Sequence, residues 1–118
     1  MNLESFEQSM RDAKDCQYLG KIPEYLLESL YLYIYKGRVV CRFLEAVICN
    51  NLVDAFGQAD DYNISIMRSY AHFAYHEMPL SSRGSQKAYL EWCLSGGVEG
   101  QKEMREGNTV VSDSGLKE

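Results

Sequence analysis

Three arginines, two adjacent asparagines and a pair of alternating tyrosines are the side chains of this sequence best suited to holding something. Arg38 and Arg42 stand four residues apart, one helical turn, so both guanidiniums can reach one phosphate or carboxylate. Arg83-Gly84-Ser85 sets a third guanidinium beside small residues at the expected start of a helix, where free backbone amides also favour an anion. A plain capped turn accounts for the same three residues. Asn50 and Asn51 each carry a carboxamide with two donor and two acceptor positions to satisfy, in the core or against a ligand. Tyr33 and Tyr35 have the rings to stack on a planar ligand, and packing with the hydroxyls on a partner or water is the simpler account of them. Together these nine residues describe a pocket for a small anion with a flat body.

Other chemistries find less. His72 and His76 have the four-residue spacing of two metal-ligating imidazoles, but no glutamate follows His72 and no third ligand stands at a recognisable distance, so no metal is expected. The cysteines at 16, 41, 49 and 93 are irregularly spaced and read as reduced, mostly buried small hydrophobes. Asp60-Asp61 is more simply a helix start than an acid/base pair. There is no nucleophile elbow, no lysine-serine phosphate loop and no histidine with an obvious serine or cysteine partner. A binding protein is expected, with no cofactor, rather than an enzyme.

The elements that must position these residues read as helices. Leu3, Phe6, Met10 and Ala13 share one face of a first helix over residues 2–16, opened by Asn2 and stopped near Gly20. A second runs from Pro23 to Lys36, with Gly37 beyond its end; its alternating tyrosines imitate a strand, but Leu26, Leu27, Leu30, Tyr31 and Ile34 make a helical face and the span is long for a strand. Tyr25 and Leu32 fall on the opposite side. That helix is apolar nearly all round and is expected at the centre or in a subunit interface. Phe43, Leu44, Val47, Ile48, Leu52 and Ala55 predict one continuous helix from about Cys41 to Phe56, with Asn51 on its buried face and Gly57 as its stop. Asp60 or Asp61 caps the next helix, expected to run to about Glu77 before Pro79, with Met67, Ala71, Ala74 and Tyr75 in one apolar stripe and Ile66, Tyr70 and Phe73 in a second. Two stripes imply two neighbours. Ser82 or Ser85 caps a last short helix carrying Ala88, Tyr89, Trp92 and Cys93.

The expected fold is therefore all-α, a small bundle of four to five short helices in one domain over residues 1–95, its core in 22–94, that self-associates. Residues 96–118 lack an apolar period and read as a flexible polar tail. The chain of 118 residues carries a net charge of −5, with residues 17–94 nearly neutral. Such a balance disfavours a duplex nucleic-acid binder. No apolar run reaches the length of a membrane span, and the acidic N-terminus is unlike a signal peptide, so a cytoplasmic protein is expected.

Pro23, Leu30, Tyr33, Gly37, Phe43-Leu44-Glu45-Ala46-Val47, Asn50-Asn51-Leu52, Ala55, Gly57 and Ala59-Asp60, followed by Tyr70, Phe73, Tyr75, Pro79, Gly84-Ser85 and Trp92, form a pattern. It resembles a family of short phage- and prophage-encoded accessory proteins that has no established activity. The resemblance spans residues 22–94 and departs where that family usually has aspartate, here Asn51, and often tryptophan, here Arg83. It implies a phage protein in the host cytoplasm that disarms a host system by binding. One form of that expectation is capture of a small host nucleotide signal in pockets formed by an oligomer. The alternative is an inhibitor that docks an acidic, aromatic surface on a host defence or nucleic-acid-processing complex.

Overall fold

In a computed structural model, which describes residues 3–102, the chain is all-helical, with no strand among the described residues. Among the described residues the α-helices follow in the order α1 (Leu3–Lys14), α2 (Glu24–Lys36), α3 (Arg42–Ile48), α4 (Leu52–Gln58), α5 (Asp61–Ser65), α6 (Met67–Glu77) and α7 (Gln86–Ser95), and residues 97–102 are helical as well. Short 3-10 turns at Leu19–Lys21 and Leu80–Ser82 lead into α2 and α7. There are more helices than expected because two of the long ones are broken. Among the described residues no helix is long and apolar enough to cross a membrane.

The first break is at Asn50-Asn51. Asn50 takes a left-handed conformation (φ 63°), its amide bonds the Val47 carbonyl and that of Asn51 bonds Ala46. These two bonds are a Schellman closure of α3. Asn51 then opens α4: its Oδ1 accepts from the Asp54 amide at 3.2 Å and its Nδ2 donates to the Asp54 carboxylate at 2.9 Å. The single helix expected over this stretch is thus two, joined by a corner, and asparagine suits both halves of it because it tolerates the left-handed region and caps well. Leu52, expected on the buried face, is consequently 68% exposed. Gly57 stops nothing, since it lies within α4 and the helix ends at extended Ala59. The second break, at Ile66 (φ −116°), separates α5, capped by Asp60, from α6.

Gly37 closes α2 in the left-handed conformation and Ser85 caps α7 through the Ala88 amide, both as their types require. Pro23 sits just before the first turn of α2, as its N-cap. Within the chain α2 is central: Tyr33 is wholly buried between Tyr89 and Trp92 of α7, and Tyr31 meets Phe73 of α6 edge to face at 5.0 Å. Most of the apolar girth of α2 is covered within the chain, while Tyr25 on its far side is 69% exposed. The cysteines are less buried than expected: Cys41 is exposed and the other three are intermediate.

One expectation for the C-terminal stretch is corrected. Residues 97–102 are helical, entered through left-handed Gly96 and Gly97, and Val98 packs on the core. Gly97 is buried against the C-terminus of α2, so small glycine backbones replace the side-chain period that is missing from the sequence. Residues 103–118, the rest of the expected tail, lie outside the described residues.

Burial also sets a pH limit. Desolvation raises the phenol pKa of Tyr31, Tyr33 and Tyr70 well above the usual value of 10. The folded state keeps these protons while the unfolded chain releases them, so the stability they carry is complete below about pH 10 and is lost as pH rises beyond it. Denaturant titrations at stepped alkaline pH are expected to show the unfolding free energy falling by on the order of 1.4 kcal/mol per tyrosine per pH unit above about 10. A flat profile through that window would mean these rings are not enclosed.

Candidate functional site

The loop carrying Arg83 is held on both sides. The Tyr33 hydroxyl donates to the Ser82 carbonyl at 2.6 Å and the Gly84 amide donates to the Ile48 carbonyl at 2.8 Å. These bonds reach α2 on one side and the end of α3 on the other, so residue 83 is fixed above the α3–α4 corner. There it lines a cleft of about 270 Å³ with Asn50, Asn51, Val47, Leu52, Ala55, Met67, Tyr70, Ala71, Ala74 and Tyr75. The wall is mostly apolar. It includes the whole Met67, Ala71, Ala74, Tyr75 stripe of α6, while the other stripe, Ile66, Tyr70 and Phe73, is buried in the core. Of the two neighbours that the stripes implied, one is the core and the other place is open.

The Arg83 guanidinium is the cation of this cleft. Its Nε is enclosed and has no hydrogen-bond partner among the described residues. An enclosed N–H without an acceptor is costly, on the order of 1–3 kcal/mol and more for a charged group, so the side chain gains from any anion that lets it turn. Asn50 and Asn51 stand at the same cleft, although Asn51 shares its carboxamide with Asp54.

On the other side of the α3–α4 corner is a second cleft of about 340 Å³, lined by Arg42, Glu45, Ala46, Cys49, Asn51, Asp54, Gln58 and Gln86. Two carboxylates against one guanidinium make it acidic. Gln86 Nε2 donates to Glu45 across it at 3.1 Å. Burial and the Glu45 carboxylate push the Cys49 thiol pKa up, so Cys49 is a poor nucleophile.

The nine residues singled out from the sequence therefore divide. Asn50, Asn51 and Arg83 come together. Gly84 is spent on the Ile48 carbonyl and Ser85 on capping α7. Arg42 lines the acidic cleft, while Arg38 is exposed and lines neither. Tyr33 is enclosed, and Tyr35 shares a 3.0 Å hydrogen bond with Ser9 of α1, away from both clefts. Sequence reasoning missed Tyr75 and the α4 side of the site. Asn51-x-x-Asp54 was the available signal, because a capping residue followed three positions later by a carboxylate marks a new helix start inside an apolar run. His72 and His76 lie with ring centroids 4.3 Å apart and planes tilted by 46°, between the rings of Tyr18 and Tyr75. No group of three or more potential metal ligands occurs among the described residues.

No protein-family model, curated protein or solved structure matches this chain.

Proposed function

We propose that this is a phage-encoded counter-defence binding protein that sequesters a small anionic nucleotide signal of the host in the cleft between α3, α4 and α6. The observation that carries the reading is the half-buried Arg83, its Nε enclosed without an acceptor among the described residues, at the edge of a mostly apolar cleft. A base or similar flat body fits the Met67, Ala71, Ala74 and Tyr75 wall, the carboxamide of Asn50 offers directional bonds, and Arg83 takes the negative charge. The phage setting and the host cytoplasm rest on the resemblance of residues 22–94. The open side of the cleft is where a second subunit would complete the pocket in an oligomer. With one cation at the site, a ligand of single charge is favoured over a polyphosphate.

Calorimetry against cyclic mononucleotides, cyclic dinucleotides and ADP-ribose is the test. Arg83→Ala is expected to weaken binding by roughly ten- to a hundredfold, the loss of one charge-assisted bond in a partly dry site, with the melting temperature unchanged or raised. Arg38→Ala and Arg11→Ala are expected to bind like the wild type. If none of these compounds binds the wild type, the reading fails. The alternative, inhibition of a host protein complex by docking, is favoured by a different observation: α4 carries Leu52, Val53 and Phe56 exposed.

A further inference from the structure

One wall of the Arg83 cleft is shaped for a ring. Tyr75 lines it and stays 73% exposed, whereas Tyr70 at the same cleft is 1% exposed and belongs to the core. The Tyr75 ring meets His76 at 88° with centroids 4.9 Å apart, an edge-to-face contact that leaves ring surface free. Side chains of a helix lean toward its N-terminus, so Tyr75 tilts toward Ala71, one turn earlier on the same face. Ala71 is itself exposed and carries only a methyl group. Leu52 and Ala55 of α4 line the same cleft from the other helix. An exposed ring beside an uncovered alanine, with aliphatic side chains opposite, leaves a slot for one flat group.

We infer that this slot takes the base of a cyclic mononucleotide, with Tyr75 as the stacking platform, a step that rests on the nucleotide capture proposed above and names its ligand class. Size is the first reason. The cleft holds about 270 Å³, at the small end of the roughly 300–1,000 Å³ usual for ligand pockets, so it has room for one nucleotide unit rather than two. Charge is the second. Arg83 is the one cation among the described residues that line the cleft, and a cyclic phosphodiester carries one negative charge. The second base and phosphate of a cyclic dinucleotide would find neither a second slot nor a second guanidinium there. Asn51 and Asp54 bond each other, so exposed Asn50 is the carboxamide that remains for a base edge or a sugar hydroxyl. Stacking is tolerant of which base is bound, because every base has a π-face.

Calorimetry of the full chain with cyclic AMP, cyclic di-AMP and ribose 5-phosphate is the test. Cyclic AMP is expected to bind about tenfold or more tighter than ribose 5-phosphate, which has sugar and phosphate but no base. Cyclic di-AMP is expected to bind within about threefold of cyclic AMP, since only one of its halves is held. Tyr75→Ala is expected to weaken cyclic AMP by roughly five- to a hundredfold, the loss of one stacked base, and Tyr75→Phe to bind like the wild type. Ala71→Leu fills the slot from an exposed helical position, so it is expected to weaken cyclic AMP by about tenfold or more with the melting temperature unchanged. Circular dichroism melts check that each variant is folded. Cyclic AMP binding that ignores both Tyr75→Ala and Ala71→Leu would overturn the inference and leave nucleotide capture standing. So would cyclic di-AMP binding more than about tenfold tighter than cyclic AMP, because a second base would then be held. If cyclic AMP, cyclic di-AMP and ADP-ribose all fail to bind, nucleotide capture itself falls and the base slot falls with it.

Discussion

Gly97→Ala lowers the unfolding free energy by about 2–5 kcal/mol, read from urea midpoints by circular dichroism. Two costs add. Gly97 has φ 72°, a conformation that costs an L-residue about 1–2 kcal/mol. A Cβ there would also stand 2.7 Å from the Gly37 nitrogen and from the Ile34 carbonyl oxygen, both backbone atoms that cannot swing aside, and forcing such overlap costs about 1–3 kcal/mol more. Gly37 meets the same limit from its own side, since its Cβ would lie 2.9 Å from the Gly97 nitrogen. The two glycines are where the ends of α2 and α7 touch. Gly57→Ala is the matched control: nothing lies within 4 Å of a Cβ at that helical position, and replacing a helical glycine gains roughly 0.5–1 kcal/mol. Equal effects from the two substitutions would show that α2 and α7 do not meet through these backbones.

Tyr33→Ala is expected to cost about 3–5 kcal/mol, the range for emptying the space of a large buried aromatic ring. Tyr33 has 0% exposure, stacks on Tyr89 at 5.4 Å and donates to the Ser82 carbonyl, while its own carbonyl accepts from Trp92 Nε1 at 2.9 Å. Tyr33→Phe keeps the ring and leaves the Ser82 carbonyl without its donor, for about 1–2 kcal/mol. This pair of variants separates a core residue from a ligand contact. If Tyr33→Phe abolished ligand binding with no change in the unfolding midpoint, Tyr33 would be facing the ligand and the packing described for it would be mistaken. The expected result is a lower midpoint, with a smaller loss of affinity than Arg83→Ala gives, transmitted through a loosened residue 82–84 loop.

The helices were legible because the chemistry that makes them is local. Gly37 as a left-handed stop, Asp60 and Ser85 as caps, and the apolar spacing of Leu26, Leu27, Leu30, Tyr31 and Ile34 each involve residues within a few positions of one another. The corner at Asn50-Asn51 was local too, and its cue, a carboxylate three residues after Asn51, was outweighed by an apolar period running through it. That period was misleading because Leu52 counts as apolar wherever it points. What the sequence by itself determined is the helical class and most of the helix ends. Which apolar residues are covered was decided by tertiary structure alone, since covering requires an element from elsewhere: the bond that retires Tyr33 from any ligand spans 49 residues, and the one that ties Trp92 to α2 spans 59. Arg83 joins Asn50 and Asn51 only because Tyr33 and Ile48 hold its loop from both sides, and Arg42, which meets Asn51 only across the acidic cleft, is set apart from Arg83 and Asn50 by the turn of α3 that faces Glu45 and Asp54. Periodicity names the face of a helix that wants burial. Only the packed chain shows that α2 finds it and the outer arc of α4 does not.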